Sequence, residues 1–285
     1  MMTAEQIAGL MAVSAQSSAI QITQTQYRMQ LVERWQIPPG ARVLEIGCGQ
    51  GDMTAVLAHA VGDGGHVTAV DIADPDYGAP VTVGESARHL LNTPLGSRID
   101  FHFRYDVLDP SNTFAPDSFD YVVLAHCSWY FASVEQLGQV LRRVQPWARQ
   151  LCFAEWDLQP QSLEQIGHLL AILIQGQIEA FKTDSEANIR SPFSRTRFKA
   201  LLEETGWSVA GESVMDTAPL QDADWEIGWC LRSSLGEAET MAVPAKFREL
   251  LSSQVDVLRL AAQSAGNRPL PAYAIRAARA AKELM

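Results

Sequence analysis

The sequence predicts an α/β protein whose doubly wound, mostly parallel sheet has seven strands and carries helices on both faces. Short apolar segments alternate with helix-like segments over residues 40–158, and this alternation is typical of a parallel sheet with crossover helices. Glycine or an acidic side chain follows several of the apolar segments. Ligands of such sheets bind beyond the carboxyl ends of the strands, so these residues are the first candidates for a site.

The first strand is predicted at Val43–Ile46, and a helix is predicted over 52–61. Between them, Gly47–Gly51 carries glycine at every second position, which lets the chain turn sharply and exposes bare peptide N–H groups. The spacing differs from the dinucleotide pattern G-x-G-x-x-G, because Asp52 stands where its third glycine would be. Glu45 instead precedes the first glycine by two residues.

The second strand is predicted at His66–Asp71 and the third at Ile99–Tyr105, with a helix over 84–92 between them. Asp71 ends the second strand about 20 residues after the glycine turn, where nucleotide-binding α/β folds place the acid that binds ribose hydroxyls. Asp106 follows the third strand. Residues 72–83 are rich in Pro and Gly and are predicted to be a loop, which either covers a bound ligand or has no such role.

The fourth strand, Phe119–Ala125, runs into His126–Phe131, and a helix is predicted over 133–146. The fifth strand, Leu151–Ala154, ends in Glu155–Trp156–Asp157. Both strands therefore deliver titratable and aromatic side chains to the same edge of the sheet.

These motifs, taken in this order, resemble those of the class I S-adenosylmethionine (SAM)-dependent methyltransferases that act on small molecules. The resemblance covers roughly residues 40–158 and implies SAM as cofactor and S-adenosylhomocysteine as product. It implies that Asp71 binds the ribose and that Asp106, or Asp109 in its place, contacts the adenine. The cofactor-binding residues it implies are Glu45, Gly47, Cys48, Gly49, Gln50, Gly51, Asp71, Ile72, Asp106, Val107, Ala125 and His126.

Each of these assignments has a purely structural alternative. Glu45 either reaches the methionine ammonium group or braces the glycine loop. Asp71 is either a ribose ligand or a helix cap, and the Cys48 thiol is expected to be inert.

Three residues are candidates for catalysis: His126, Glu155 and Tyr130. A histidine can take a proton from a hydroxyl or amine near neutral pH, but the His126 backbone alone could hold the methionine moiety. Glu155 could bind a substrate amine or act as base, or form only an ion pair or cap. The candidates for substrate contact are Trp129, Tyr130, Trp156 and Tyr27, whereas His168 is expected to be a core or rim histidine.

The flanking segments are predicted to be mainly helical. Helices are expected over 3–35, 161–182, 194–207 and 222–266, and the sixth strand over 208–215; residues 271–278 suit either a seventh, antiparallel strand or a helix. The predicted organisation is an N-terminal helical cover (1–37), a SAM-binding core (38–160) and the rest of the sheet (161–285) with helical inserts at about 161–193 and 222–266. Such inserts form a substrate cover, a homodimer interface or both.

Composition restricts the partners. The net charge of −11 and the pI near 5.0 argue against nucleic acid and anionic membranes. Four scattered cysteines show no metal-binding spacing, so we expect reduced thiols and no metal. The N-terminus lacks the basic start and apolar stretch of a secretory signal, and a cytoplasmic protein is expected.

The predicted reaction is in-line transfer of a methyl group from SAM to an oxygen or nitrogen of a small metabolite or natural product. The alternatives are a methyltransferase-like enzyme that catalyses a non-methylating reaction, such as a pericyclic rearrangement, and a cofactor-binding regulatory protein. The residues do not identify the substrate or decide between O-, N- and C-acceptors.

Overall fold

Seven strands form one sheet in the computed structural model of this protein, which describes residues 2–12, 18–264 and 266–280. Branched and aromatic side chains dominate the central strands, as expected of strands that are buried on both faces. The strands are β1 Arg42–Ile46, β2 His66–Val70, β3 Ile99–His102, β4 Phe119–Ala125, β5 Ala148–Trp156, β6 Trp207–Met215 and β7 Ala272–Arg279.

The strands lie in the order β3-β2-β1-β4-β5-β7-β6, and only β7 pairs antiparallel with its neighbours. The chain order reverses between β1 and β4, so a crevice opens at their carboxyl ends. The predicted doubly wound, mostly parallel sheet of seven strands is confirmed.

Helices connect the strands and cover both faces. Ser and Thr caps start several of them; for example, the Thr82 hydroxyl accepts a hydrogen bond from the Glu85 amide at 3.1 Å. The helices are α1 Ala4–Ala8, α2 Ser18–Trp35, α3 Asp52–Val61, α4 Val83–Leu91, α5 Val134–Val144, α6 Ile166–Glu179, α7 Arg195–Glu204, α8 Asp222–Thr240 and α9 Ala245–Ser264.

The predicted third strand, Ile99–Tyr105, is longer than the observed one. Strand β3 stops at His102, because Arg104 adopts a left-handed φ of 55° that turns the chain. The Tyr105 amide then donates to the Asp71 carbonyl at 2.9 Å, which carries the chain back over the end of β2. Asp106 therefore lies in a loop at the crevice.

Residues 271–278 form a strand, and the helical alternative for this segment is wrong. Strand β7 fills the gap between β5 and β6, where Phe153 pairs with Ile275 and Glu155 with Tyr273. Two ladders of hydrogen bonds thus override the helix propensity of its alanines.

Two hydrophobic clusters stabilise the molecule. The larger surrounds the sheet and includes Ile7, Leu31 and Trp35 from α1 and α2, so the N-terminal helices are part of the main core. The smaller joins α6, α8 and α9, with Ile174 and Leu251 fully buried. Helices α2, α6 and α8 all reach the carboxyl ends of β4 and β5. No helix in the described part of the chain is long and apolar enough to cross a membrane.

Candidate active site

The glycine loop after β1 leaves bare peptide facing open space. Gly47, Gly49 and Gly51 all have positive φ, of 73°, 52° and 86°. A Cβ on Gly47 would lie 2.7 Å from the Cβ of Cys127, whereas a Cβ on Gly49 would meet no atom within 4 Å. Gly47 is therefore required for close packing, and Gly49 leaves room for a ligand to lie against the backbone.

Glu45 braces this loop from behind. Its side chain is buried and accepts a 2.6 Å hydrogen bond from the Thr54 hydroxyl, which ties β1 to α3. Burial raises the pKa of Glu45 to about 8. The described contacts of Glu45 are those of a structural brace.

A cleft of about 200 Å³ lies beside the loop at the ends of β1, β2 and β4. Asp71, Ile72, Asp106 and Val107 line it together with Gly47. The structure thus brings together the acids that follow the second and third strands. It does not place Asp109 among the lining residues of this cleft.

Backbone amides orient both acids of the cleft. The Gly49 amide donates to Asp71 Oδ2 at 2.7 Å, and the Ala73 amide donates to Oδ1 at 2.9 Å. The Leu108 amide donates to Asp106 Oδ1 at 2.8 Å. Asp71 therefore links the glycine loop to the end of β2 while it faces the cleft.

Three further predicted cofactor residues, Gln50, Cys48 and Ala125, do not line the cleft. Gln50 Nε2 donates to the Val81 carbonyl at 2.6 Å, which attaches the 72–83 segment to the loop. Cys48 is buried, and burial raises the pKa of its thiol. Ala125 ends β4 opposite Ala154 of β5, so it carries His126 to the edge of the sheet.

His126 lies at the centre of a polar cluster at the ends of β4 and β5. Its φ of 52° is left-handed, which is strained for a non-glycine residue and is frequent at functional sites. Nε2 lies 2.8 Å from the Tyr27 hydroxyl, and Nδ1 lies 3.3 Å from Glu155 Oε1. Three elements, α2, β4 and β5, therefore hold one imidazole.

Glu155 is buried, and Ser128 satisfies one of its oxygens. The Ser128 hydroxyl and amide donate to Oε2 at 2.6 and 3.2 Å, and the Trp156 amide donates to Oε1 at 3.0 Å. Nδ1 has no hydrogen-bond partner among the described residues, so the Glu155 carboxylate would stabilise a proton on Nδ1 by charge alone. In that tautomer Nε2 is a hydrogen-bond acceptor. Burial raises the pKa of Tyr27. The hydroxyl therefore stays protonated and can donate a hydrogen bond to His126 Nε2.

A second cavity of about 330 Å³, called the chamber here, adjoins this cluster. The predicted residues His126, Trp129, Glu155 and Trp156 line it, and Tyr130 lines both the chamber and the cleft. Tyr27 reaches the site through its contact with His126. Further lining residues include Gln21, Gln24, Arg28, Asp52, His168, Ile172, Asp222, Trp225 and Glu226.

Sequence reasoning predicts an N-terminal helical cover and a site role for Tyr27, but it misses the polar side chains of α2 that line the chamber. Gln21, Gln24 and Arg28 recur on one face of α2, and this spacing was the available signal. Gln21 Nε2 donates to Asp52 Oδ1 at 2.8 Å, and the Arg28 guanidinium lies 3.7 Å from Asp52 Oδ2. These contacts fasten α2 to the start of α3, directly after the glycine loop.

Comparison with known proteins agrees with this geometry. A family model described as a methyltransferase domain matches residues 22–211 of the chain. The chain belongs to this methyltransferase family. The cofactor of the family is SAM, which agrees with the glycine spacing and the two acids of the cleft.

The chain is similar over nearly its whole length to a solved structure from Lactobacillus casei ATCC 334, described as a cyclopropane-fatty-acyl-phospholipid synthase-like protein. The two share 36% identity with a TM-score of 0.87, over 96% of this chain and 98% of that one. Methyltransferase phomM' of Diaporthe leptostromiformis is 35% identical over 120 residues, which are 36% of this chain and only 31% of that protein. The [4+2]-cyclase SpnF, at 14% identity and a TM-score of 0.54 over 94% of this chain and 83% of that one, shows the shared fold alone.

Proposed function

We propose that the chain transfers the methyl group of SAM to a small organic molecule bound in the chamber. The observation that carries this proposal is the junction of the two cavities. Tyr130 lines both, and Cys127 of the cleft follows His126 of the chamber directly. A molecule in the chamber would therefore lie next to a cofactor in the cleft.

The cleft fits SAM, because Gly47, Asp71 and Asp106 line it. The open backbone of Gly49 adjoins it through the hydrogen bond to Asp71. We propose that Asp71 binds the ribose, that Asp106 contacts the adenine, and that Ile72 and Val107 flank the nucleoside. When bound, SAM supplies a methyl group on a sulfonium, which is an activated leaving group. The protein then has mainly to align the acceptor, and alignment alone can supply several kcal/mol.

We propose His126 as the base for an acceptor that begins protonated. Its Nε2 faces the Tyr27 hydroxyl at 2.8 Å, so an acceptor hydroxyl or amine either displaces that hydroxyl or passes its proton through it. Glu155 at 3.3 Å from Nδ1 would stabilise the imidazolium that forms. Tyr27 is then a positioning residue, and Tyr130 is the alternative base.

The chamber supports a small acceptor rather than a polymer. Trp129 and Trp156 line it together with residues of α2, α6 and α8. The acidic net charge of −11 disfavours nucleic acid and anionic membranes as partners. We propose a cytoplasmic location, which the four free cysteines support. The homodimer is also a proposal, and analytical ultracentrifugation would test it.

The experiment is mass spectrometry after the protein is incubated with methyl-labelled SAM and a metabolite extract. A methylated small molecule is the expected product. Gly49→Val, which fills the open space of the loop, should abolish both SAM binding and labelling. Gly62→Val is the matched control, because Gly62 has a similar φ of 63° and equal open space but ends α3 away from the cleft. SAM binding without any labelled product would favour a non-methylating enzyme or a regulatory protein.

A further inference from the structure

Two acids of the chamber, Asp222 and Glu226, form no ion pair with any residue that the structure describes. Their side-chain partners are neutral amides: Gln24 Nε2 donates to Asp222 Oδ2 at 3.4 Å, and Gln175 Nε2 donates to Glu226 Oε2 at 2.6 Å. Burial raises the pKa of both carboxyl groups. Arg28 and His126 act on Asp222 through space but form no ion pair with it. Partly buried carboxylates outside an ion pair are costly, and a positively charged ligand would compensate them.

The other acids of the chamber already have partners. Asp52 lies 3.7 Å from the Arg28 guanidinium, and Glu155 lies 3.3 Å from His126. The carboxylates of the chamber that lie outside these pairs are therefore the two on α8.

A buried hydrogen-bond donor lies in the wall of the same chamber, on α6. His168 has no exposed surface, and the Leu270 amide donates to its Nδ1 at 2.8 Å. Burial lowers the pKa of His168 to about 3, so the ring is neutral and its single proton is on Nε2. This Nε2–H has no hydrogen-bond partner among the described residues, although His168 lines the chamber.

Trp129 shows the same feature. Its indole Nε1–H is buried without a hydrogen-bond partner in the described structure, and the residue also lines the chamber. Buried donors are nearly always satisfied in native proteins, and leaving one unpaired costs about 1–3 kcal/mol. The chamber therefore presents two carboxylates outside the ion pairs of the described residues and buried N–H donors without an acceptor.

We infer that the methyl acceptor is a small molecule with a protonated amine, held by Asp222 and Glu226, and with an oxygen that accepts the His168 Nε2–H hydrogen bond. This inference rests on the proposed function, since it names the class of acceptor for the same chamber. The Trp156 and Trp225 rings that line the chamber suit a cation. A neutral hydrocarbon would leave the two carboxylates and the imidazole N–H unpaired, and an anion would meet like charge.

The first experiment separates a metabolite extract at neutral pH into cationic, neutral and anionic pools by ion exchange. Each pool is incubated with the enzyme and methyl-labelled SAM, and products are found by mass spectrometry. We expect the labelled product in the cationic pool. Label only in the neutral or anionic pool would overturn the inference while the proposed function stands, and no transfer from any pool would remove both.

The second experiment measures KM and kcat for the unmethylated precursor so identified. His168→Asn keeps an oxygen to accept the Leu270 amide but lacks the Nε2–H, so KM should rise about tenfold or more with SAM affinity and melting temperature retained. His168→Gln, whose amide nitrogen can reach the Nε2 position, should restore most of the loss. A KM change below about twofold in His168→Asn would overturn the role of this donor.

The carboxylates are tested in the same way. Asp222→Asn and Glu226→Gln should each raise KM for the cationic precursor by about tenfold or more, while melting temperature is held or increased because an uncompensated buried charge is removed. Glu239→Gln on the exposed surface of the same helix is the matched control and should change nothing. Equal KM values for all three variants and the wild type would overturn the amine site.

Discussion

At the scale of single residues, Asp71 both holds the glycine loop and faces the cleft. Its two oxygens accept the Gly49 and Ala73 amides at 2.7 and 2.9 Å. A charge-assisted contact to ribose would be worth about 1.5–3 kcal/mol, so Asp71→Ala should weaken SAM binding roughly tenfold to a hundredfold. Calorimetry measures this, with Asp74→Ala as control, because Asp74 pairs with Arg104 at 2.6 Å outside the lining of the cleft. A loss below about twofold would leave Asp71 as a loop brace only.

The raised pKa of Glu45 predicts how the stability of the fold depends on pH. Its pKa in the folded protein is about 8, above the value of about 4.3 in an unfolded chain, so the folded state binds the proton more tightly. The stability from protonated Glu45 is complete below pH 4 and is lost as pH rises towards 8 and beyond. Glu45→Gln keeps an oxygen that can accept the hydrogen bond from the Thr54 hydroxyl. At pH 9 its free energy of unfolding should exceed that of the wild type by about 1–3 kcal/mol.

Denaturant titrations at pH 4 and pH 9 check this prediction. The two proteins should be equally stable at pH 4, and the exposed Glu239→Gln variant should follow the wild type at both values. A Glu45→Gln variant that is less stable at pH 9 would mean that the charged carboxylate has a partner in the folded protein.

Substitutions of His126 should separate the methyl-transfer step from SAM binding. Loss of a general base lowers kcat by about 10²-fold or more, so His126→Ala should lose turnover and keep nearly all of its SAM affinity. His126→Asn is the companion variant, because asparagine tolerates the left-handed φ of 52° better than alanine does. If SAM affinity and turnover fall in equal measure, His126 holds the cofactor, and the reaction uses alignment alone or a different base.

At the scale of secondary structure, the periodicity of the sequence predicts the central elements well. Strands β1, β2 and β4 and helix α3 agree closely with their predicted bounds, because each is defined by local apolar patterning and by glycine. The prediction is poorer for elements whose type or bounds depend on contacts with residues distant in the sequence. The alanines of β7 form a strand only because β5 and β6 flank them, and the end of β3 depends on the left-handed turn at Arg104.

Helix α2 gives a prediction that tests its role as part of the cover. Gln21 and Arg28 bind Asp52 at the start of α3, and Tyr27 contacts His126. Cofactor binding should therefore slow amide hydrogen exchange in Tyr27–Trp35 as well as in the glycine loop. Helix α9, which does not line the cleft or the chamber, should exchange at an unchanged rate. Protection confined to residues 43–126 would assign α2 to packing or assembly.

At the scale of the whole molecule, the sequence predicts the residues at the strand ends, both in the cleft and in the chamber, but not the helical walls that complete the chamber. Gly47, Asp71 and Asp106 are close in sequence to the strand ends that position them, so spacing identifies them. The chamber depends on α2, α6 and α8 meeting over β4 and β5. His168 illustrates this limit: its sequence context predicts a core or rim residue, and only the fold places it against the chamber with a free N–H.

The two hydrophobic clusters predict that cofactor binding and acceptor binding can be separated. Leu251 of α9 is fully buried in the cluster that joins α6, α8 and α9, and a Leu→Ala change in a core costs about 2–5 kcal/mol. Leu251→Ala should therefore loosen the helices that carry His168 and Glu226, raise KM for the acceptor, and leave the SAM dissociation constant within about twofold. Leu124→Ala, buried in β4 within the main cluster, is the matched change and should weaken SAM binding as well. Calorimetry with SAM and steady-state kinetics on both variants measure the two effects. If Leu251→Ala weakens SAM as much as Leu124→Ala does, the clusters act as one cooperative unit, and α6, α8 and α9 are not an independent wall of the site.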